Sequence, residues 1–187
     1  MHRHFGCLAH WLGLLQRRSG SIATVFLDTE FTGLDWRYPR RLISIGLVAS
    51  EERLGEWYAE IDGWSVEDCT PWVQGHVLPL LTGPRMTRKA AAKSLRAWLA
   101  RLGSVQIASD SPIDWNLLSD LLGYPLPRNV VPERFDLAPR LQQADYRNAL
   151  TNYWELHGGQ HNALSDARAH RHASALIEQV SRQDRSD

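Results

Sequence analysis

Cysteine is nearly absent. Cys7 and Cys69 are the only two among 187 residues, too few for a disulfide framework and without metal-ligand spacing, which suits a reducing cytosol and gives the expectation of a cytoplasmic protein. Net charge is lacking too: lysine plus arginine and aspartate plus glutamate both number 21, so any polyanionic partner must be held by local patches rather than a global basic field. No apolar run approaches the ~20 residues needed to cross a bilayer, and no membrane partner is expected. Internal repeats and low-complexity tracts are missing as well. What is present is ordinary globular composition, 43% hydrophobic and 22% charged, in a chain long enough for one domain with a substantial core.

Residues 1–21 have a faint signal-peptide character, but their apolar part is interrupted by His10 and followed, not preceded, by Arg17 and Arg18. The Gly20-Ser21 junction marks them as an N-terminal extension outside the chemistry. The expected domain is 22–181, with 182–187 as a C-terminal tail.

Three strands open that domain, at 22–28, 41–49 and 56–61, the first two joined by a turn-rich segment. Thr70-Pro71 starts a short helix over 72–81, and Thr87 can cap an amphipathic helix over 88–102. A fourth strand is read at 104–109, a helix at 113–122 stopped by Gly123, and a short fifth strand within 130–135. Helical segments near 137–143 and 149–156 follow, and after Gly158-Gly159 a last helix runs over about 162–180. Strands first, then alternation with helices, imply an α/β domain with a mixed five-stranded sheet flanked by helices.

The run Val25-Phe-Leu-Asp28-Thr-Glu30 drives into two carboxylates that a strand would place on one face, where a divalent cation can bridge them. Alone, the pair is better explained by a strand ending in a polar turn at Thr32-Gly33 than by a metal site. Asp114 and Asp166 fall at two further element boundaries; an Asp in a first helical turn is commonly just favourable with the helix dipole. Together the four carboxylates would neutralise two divalent cations, Mg²⁺ or Mn²⁺, in the arrangement that serves phosphoryl transfer. Without metal they would repel one another and their pKa values would rise. His161, whose ordinary pKa is near 6.5, can take a proton from an attacking water, and the glycine pair would let its loop move.

Asp28-Thr-Glu30, Asp114 before a helix, and His161-Asn-Ala-Leu-Ser-Asp166 resemble, in order and spacing, the three motifs of the DEDDh 3'-5' exonuclease superfamily, over about residues 22–180. With Trp72-x-x-x-His76-Val-Leu-Pro79 and Asp114-Trp115, the chain looks closest to the small single-domain bacterial 3'-5' exoribonuclease-like branch. The resemblance implies a ribonuclease H-like fold and metal-dependent release of nucleoside 5'-monophosphates from the 3' end of single-stranded nucleic acid, RNA modestly favoured over DNA. It implies Asp28, Glu30, Asp114 and Asp166 as ligands, Asp28 bridging, His161 as general base, and Thr32, Gly33 and Leu34 against the terminal nucleotide. It also allows a homodimer. Where many relatives carry Asn and Phe in the second motif, this chain has Asp110 and Ile113, so Asp110 either adds a ligand or weakens phosphate approach. Asp114 is preferred because Asp114-Trp115 begins the helix pattern.

Arg85, Arg88, Lys89, Lys93, Arg96 and Arg101 form a segment free of acid that can guide a phosphate backbone or simply face solvent. Arg37, Arg40 and Arg41 are better placed, beside the nucleotide-contacting turn, or they blunt a strand edge. Trp115 either stacks on a base or packs in the core; His76, His170 and His172 fit packing or surface roles. Two other functions stay in view: a nucleotide or nucleic-acid binding module with little turnover, and a haloacid-dehalogenase-like phosphatase. The phosphatase is disfavoured because its nucleophile motif has Asp at the second acidic position.

Overall fold

The computed structural model describes residues 22–183; the expected N-terminal extension lies outside the described residues. Six strands form one sheet: β1 (Ala23–Phe31), β2 (Leu42–Ala49), β3 (Glu56–Ile61), β4 (Arg85–Met86), β5 (Val105–Ser109) and β6 (Phe135–Asp136). Their order is β4-β3-β2-β1-β5-β6, with β2 antiparallel to β1 and β3, and β5 parallel to β1. This is the mixed, helix-flanked sheet of a ribonuclease H-like fold. The sixth strand is the two-residue β4, too short for any periodicity to announce. In place of a strand within 130–135, Val130 makes a single bridge to Val105 and pairing resumes at Phe135.

Among the described residues five α-helices flank the sheet: α1 (Pro71–His76), α2 (Arg88–Ala100), α3 (Pro112–Leu122), α4 (Ala144–His157) and α5 (Ala163–Gln183). The helix expected over 72–81 divides, because Pro79 cannot donate a backbone hydrogen bond; a 3-10 turn at Leu78–Leu80 follows α1. The segment near 137–143 is likewise a 3-10 turn, Ala138–Gln142. α4 begins five residues before the expected 149, anchored by the fully buried Tyr146. α5 continues through Gln183, into the expected tail. No helix among the described residues is long and apolar enough to cross a membrane.

Alternation along β1 sorts its side chains between two layers. Val25 and Leu27 join Ile45, Leu47 and Ile107 in the main core with Leu95 and Leu99 of α2 and Leu118 of α3. Phe26 faces the other layer, beside Ala108 and Leu137. In that second layer α5 lies across β1 and β2, with α4 packed on it through Tyr146, Leu150, Ala169 and Ala173.

Gly46 sets how closely α5 can approach. It pairs with Asp28 across the β1–β2 ladder, and a Cβ there would meet the Ala163 carbonyl and the Leu164 backbone at 2.5 Å. Backbone cannot yield as a side-chain tip can, so this glycine permits the N-terminus of α5 to lie against Asp28. Gly46→Ala should destabilise the fold by about 1–3 kcal/mol, lowering Tm by roughly 3–10 °C. Thermal unfolding followed by circular dichroism checks this, and an unchanged Tm would refute the close-approach argument.

Candidate functional site

The acidic residues singled out in the sequence meet at the carboxyl-terminal halves of β1 and β5 and the segments that follow β5. Asp28 and Glu30 occupy alternate positions of β1 on the α5 side. Parallel pairing of Phe26 with Ala108 brings the end of β5, followed by Asp110, alongside them. Ser111 then starts α3, its Oγ accepting the Ile113 backbone N–H at 3.1 Å, and Asp114 stands in the first turn. At the head of α5, the Asn162 side-chain oxygen accepts the N–H groups of Leu164 and Ser165 at 3.2 and 3.3 Å, and Asp166 stands in the first turn.

Carboxylate oxygens of Asp28, Glu30 and Asp166 lie within 4.8 Å of one another, and so do those of Asp28, Asp110 and Asp114. Asp28 belongs to both groups. Asp110, which the sequence left open, is thus brought to the cluster along with Asp114; its Oδ2 is also 3.7 Å from Nε2 of the buried His170. His170 packs beside Tyr146, whose hydroxyl is 3.0 Å from Nδ1 of the imidazole.

Burial is the largest cause of raised pKa values throughout the cluster. It lifts Asp28 well above the carboxylate range, helped by the charges of Asp114, Asp166 and Glu30. Glu30 is pushed up to about 8 by burial, then by Asp166 and Asp114. Asp114 rises to about 7 although the Thr29 hydroxyl donates to its Oδ1 at 2.7 Å. Asp166 also rises to about 7, even with the Trp154 indole N–H donating at 2.7 Å and the His161 backbone N–H at 3.0 Å. Among the described residues none of these four is ion-paired to lysine or arginine, and Asp114 Oδ2 is buried without a hydrogen-bond partner. Hard oxygen donors without a direct ion pair, the charge of Arg134 offsetting the rise of Asp114 only in part and one oxygen left orphaned, fit a divalent cation such as Mg²⁺ or Mn²⁺.

These shifts set a pH dependence. Carboxylates whose folded pKa exceeds the unfolded value of about 4 bind more protons when folded, so their favourable contribution is complete at low pH. It is lost as pH rises through about 7 to 8, where Asp114, Asp166 and Glu30 ionise in the folded protein. In EDTA, Tm should therefore fall by roughly 5–10 °C between about pH 5 and pH 8.5, and Mn²⁺ should reverse the fall at the higher pH. A metal-free Tm that rises over this range would contradict the assignment.

His161 lies on the loop between α4 and α5 with a backbone φ of 71°, uncommon for a residue with a side chain. Its ring is edge-on to Trp72, 4.9 Å between centroids, and Trp72 stacks on His76 at 4.8 Å. Burial, then the nearby His76, lowers the His161 pKa below its ordinary value.

Beside Glu30 opens a cavity of about 380 Å³ lined by Phe31, Gly33, Leu34, Thr70, Trp72 and Val73 among others. Leu34 is largely exposed at its rim. Thr32 is fully buried and braces the turn instead: its hydroxyl donates to the Pro39 carbonyl and accepts the Arg41 N–H at 2.9 Å. Gly33, at φ 146°, lies so close to the Thr70 side chain that a Cβ would overlap it. Trp115 packs against the main core. Phe31 and Val73 as cavity wall, and Thr29 and Trp154 as carboxylate partners, were not signalled by spacing. Only Thr29, facing away from its two acidic neighbours on a strand, could have been placed on the α3 side from sequence.

No protein-family description matches the sequence, and no curated protein does. Solved structures do resemble the fold. One is the crystal structure of cell-death related nuclease 4 (CRN-4), with a TM-score of 0.61 and 14% identity over 84% of this chain. The match spans 64% of that protein's length, and at this identity it establishes the shared architecture.

Proposed function

We propose that the protein is a metal-dependent 3'-5' exonuclease that releases nucleoside 5'-monophosphates from single-stranded nucleic acid, RNA favoured modestly over DNA. The observation that carries this reading is the convergence of carboxylates from β1, the β5–α3 junction and α5 on Asp28, with no lysine or arginine ion-paired to Asp28, Glu30, Asp114 or Asp166 among the described residues. The nuclease fold of the solved neighbour is in keeping with it.

Asp28, Glu30 and Asp166 would hold one cation, and Asp28 with Asp114 a second, Asp110 standing beside the latter group. Divalent cations bound there would neutralise charge developing on the attacking and leaving oxygens of a phosphodiester. The chain's own residues supply the rest. The cavity beside Glu30 accepts the terminal nucleoside, its base between Leu34 and the Trp72–Val73 wall and its sugar toward Gly33. His161, neutral at physiological pH, takes a proton from the attacking water at a ring nitrogen. Asp166 fixes the His161 backbone and is itself held by Trp154, so base and carboxylate stay in register. RNA preference rests on the sequence resemblance alone.

Parallel digestion of 5'-labelled single-stranded RNA, single-stranded DNA and duplex with Mg²⁺ or Mn²⁺ tests polarity and sugar preference together. The expected result is a ladder shortening one nucleotide at a time from the 3' end, faster on single strands. Internal cuts, or shortening from the 5' end, would reject the exonuclease reading, and nucleotide binding without turnover would favour a binding module.

A further inference from the structure

Two basic segments that are separate in sequence meet in one groove. Arg40 and Arg41 precede β2, Arg88 opens α2, and the three line a groove of about 260 Å³ with Leu117 and Asp120 of α3 and Asp62 beyond β3. This groove adjoins the carboxylate edge. Leu117 is one turn along α3 from Asp114, and Phe31, which pairs with Leu42, lines the cavity beside Glu30 while the Arg40 guanidinium lies 5.9 Å from its ring centroid. Phe31 of the cavity thus touches Arg40 of the groove.

Local charge limits what the groove can take. Asp62 faces Arg85 at 4.0 Å, and Arg41 is engaged by the Gly63 carbonyl at 2.8 Å and by Asp68 at 3.6 Å. Arg40 and Arg88 make no ion pair among the described residues, and neither does Asp120. Two free guanidinium groups against one free carboxylate leave a single positive charge, matched to one phosphodiester.

We propose that this groove binds one backbone phosphate of the strand upstream of the scissile linkage, so that the protein grips a single strand of several nucleotides and not only its terminal residue. The proposal rests on the exonuclease reading, and it commits the upstream strand to cross Phe31 toward α2 and α3. Asp120 lies in the same groove and would disfavour a second phosphate there. A dinucleotide, whose only phosphodiester is the one cleaved, would gain nothing from the groove.

The test compares the Arg40→Ala/Arg88→Ala protein with the unaltered one on a dinucleotide and on a single-stranded RNA of about 12 nucleotides. Binding of the fluorescently labelled longer strand is followed in parallel against KCl concentration. The expected result is a KM for the longer strand raised about fivefold to tenfold at unchanged kcat, with both constants unchanged on the dinucleotide. The slope of log affinity against log salt should become shallower by about 0.7, the loss of one single-strand phosphate contact. Arg53→Ala/Arg182→Ala, with the same change in net charge and away from the groove, should match the unaltered protein. An unchanged KM and salt slope would overturn the proposal, as would an equal loss on the dinucleotide or an equal effect of the control pair. If the unaltered protein hydrolyses neither substrate, the exonuclease reading fails by itself, and the salt slopes still decide the groove.

Discussion

Asp28→Asn is expected to abolish hydrolysis, by about 10³-fold or more, while raising the melting temperature of the metal-free protein. The two effects have one cause. Asp28 alone belongs to both carboxylate groups, so its loss removes a ligand from each proposed cation position. In the absence of metal the same carboxylate is unfavourable: burial and the charges of Asp114, Asp166 and Glu30 oppose its ionisation. Asparagine keeps the shape and removes the charge. Initial rates with Mg²⁺ or Mn²⁺, and thermal unfolding in EDTA at about pH 8, measure the two outcomes. Full activity in the variant would sink the functional reading; a lower metal-free Tm would show that Asp28 is internally compensated.

The second large effect concerns His161. Its positive φ makes alanine an ambiguous replacement, because alanine tolerates this left-handed backbone less well than histidine does. Asparagine tolerates this region better, and it cannot act as a base near neutral pH. His161→Asn should lower kcat about 10²- to 10⁴-fold and leave Mn²⁺ affinity nearly unchanged. Asp166 is held by the backbone N–H of residue 161, which the substitution retains. In the unaltered protein kcat should rise with pH as the imidazole loses its proton, the rise lying at lower pH than for an ordinary histidine, since burial and His76 lower that pKa. The variant should lack that rising limb. Equal turnover in both proteins would assign the proton transfer to another group.

Much of this site is legible in the sequence, and the reason is local. Asp28 and Glu30 share a face because a strand has period two, and the acidic residues downstream sit at helix starts marked by Ser111 and Asn162. The strands over 42–49 and 56–61 were readable from their apolar and alternating runs. What could not be read depends on approach between distant segments. Gly46 looks like any glycine in a strand until α5 is laid against it, and Trp154 is an ordinary helix residue until its indole meets Asp166. The cavity wall joins α1 to the turn after β1 through the Thr70 N–H bond to the Thr32 carbonyl, 2.9 Å. The groove of Arg40 and Arg88 likewise needs β2, α2 and α3 in place before the two basic runs become one surface.

Calorimetric titration of Mn²⁺ into the metal-free protein near pH 7, in two buffers of different ionisation enthalpy, tests most directly whether the carboxylate edge holds a divalent cation. Glu30, pushed up to about 8, and Asp114 and Asp166, pushed to about 7, retain protons that a bound cation must displace. The result we predict is binding with net proton release, lost or strongly weakened in Asp28→Asn. Absence of binding, or binding of equal strength in Asp28→Asn without proton release, would contradict it.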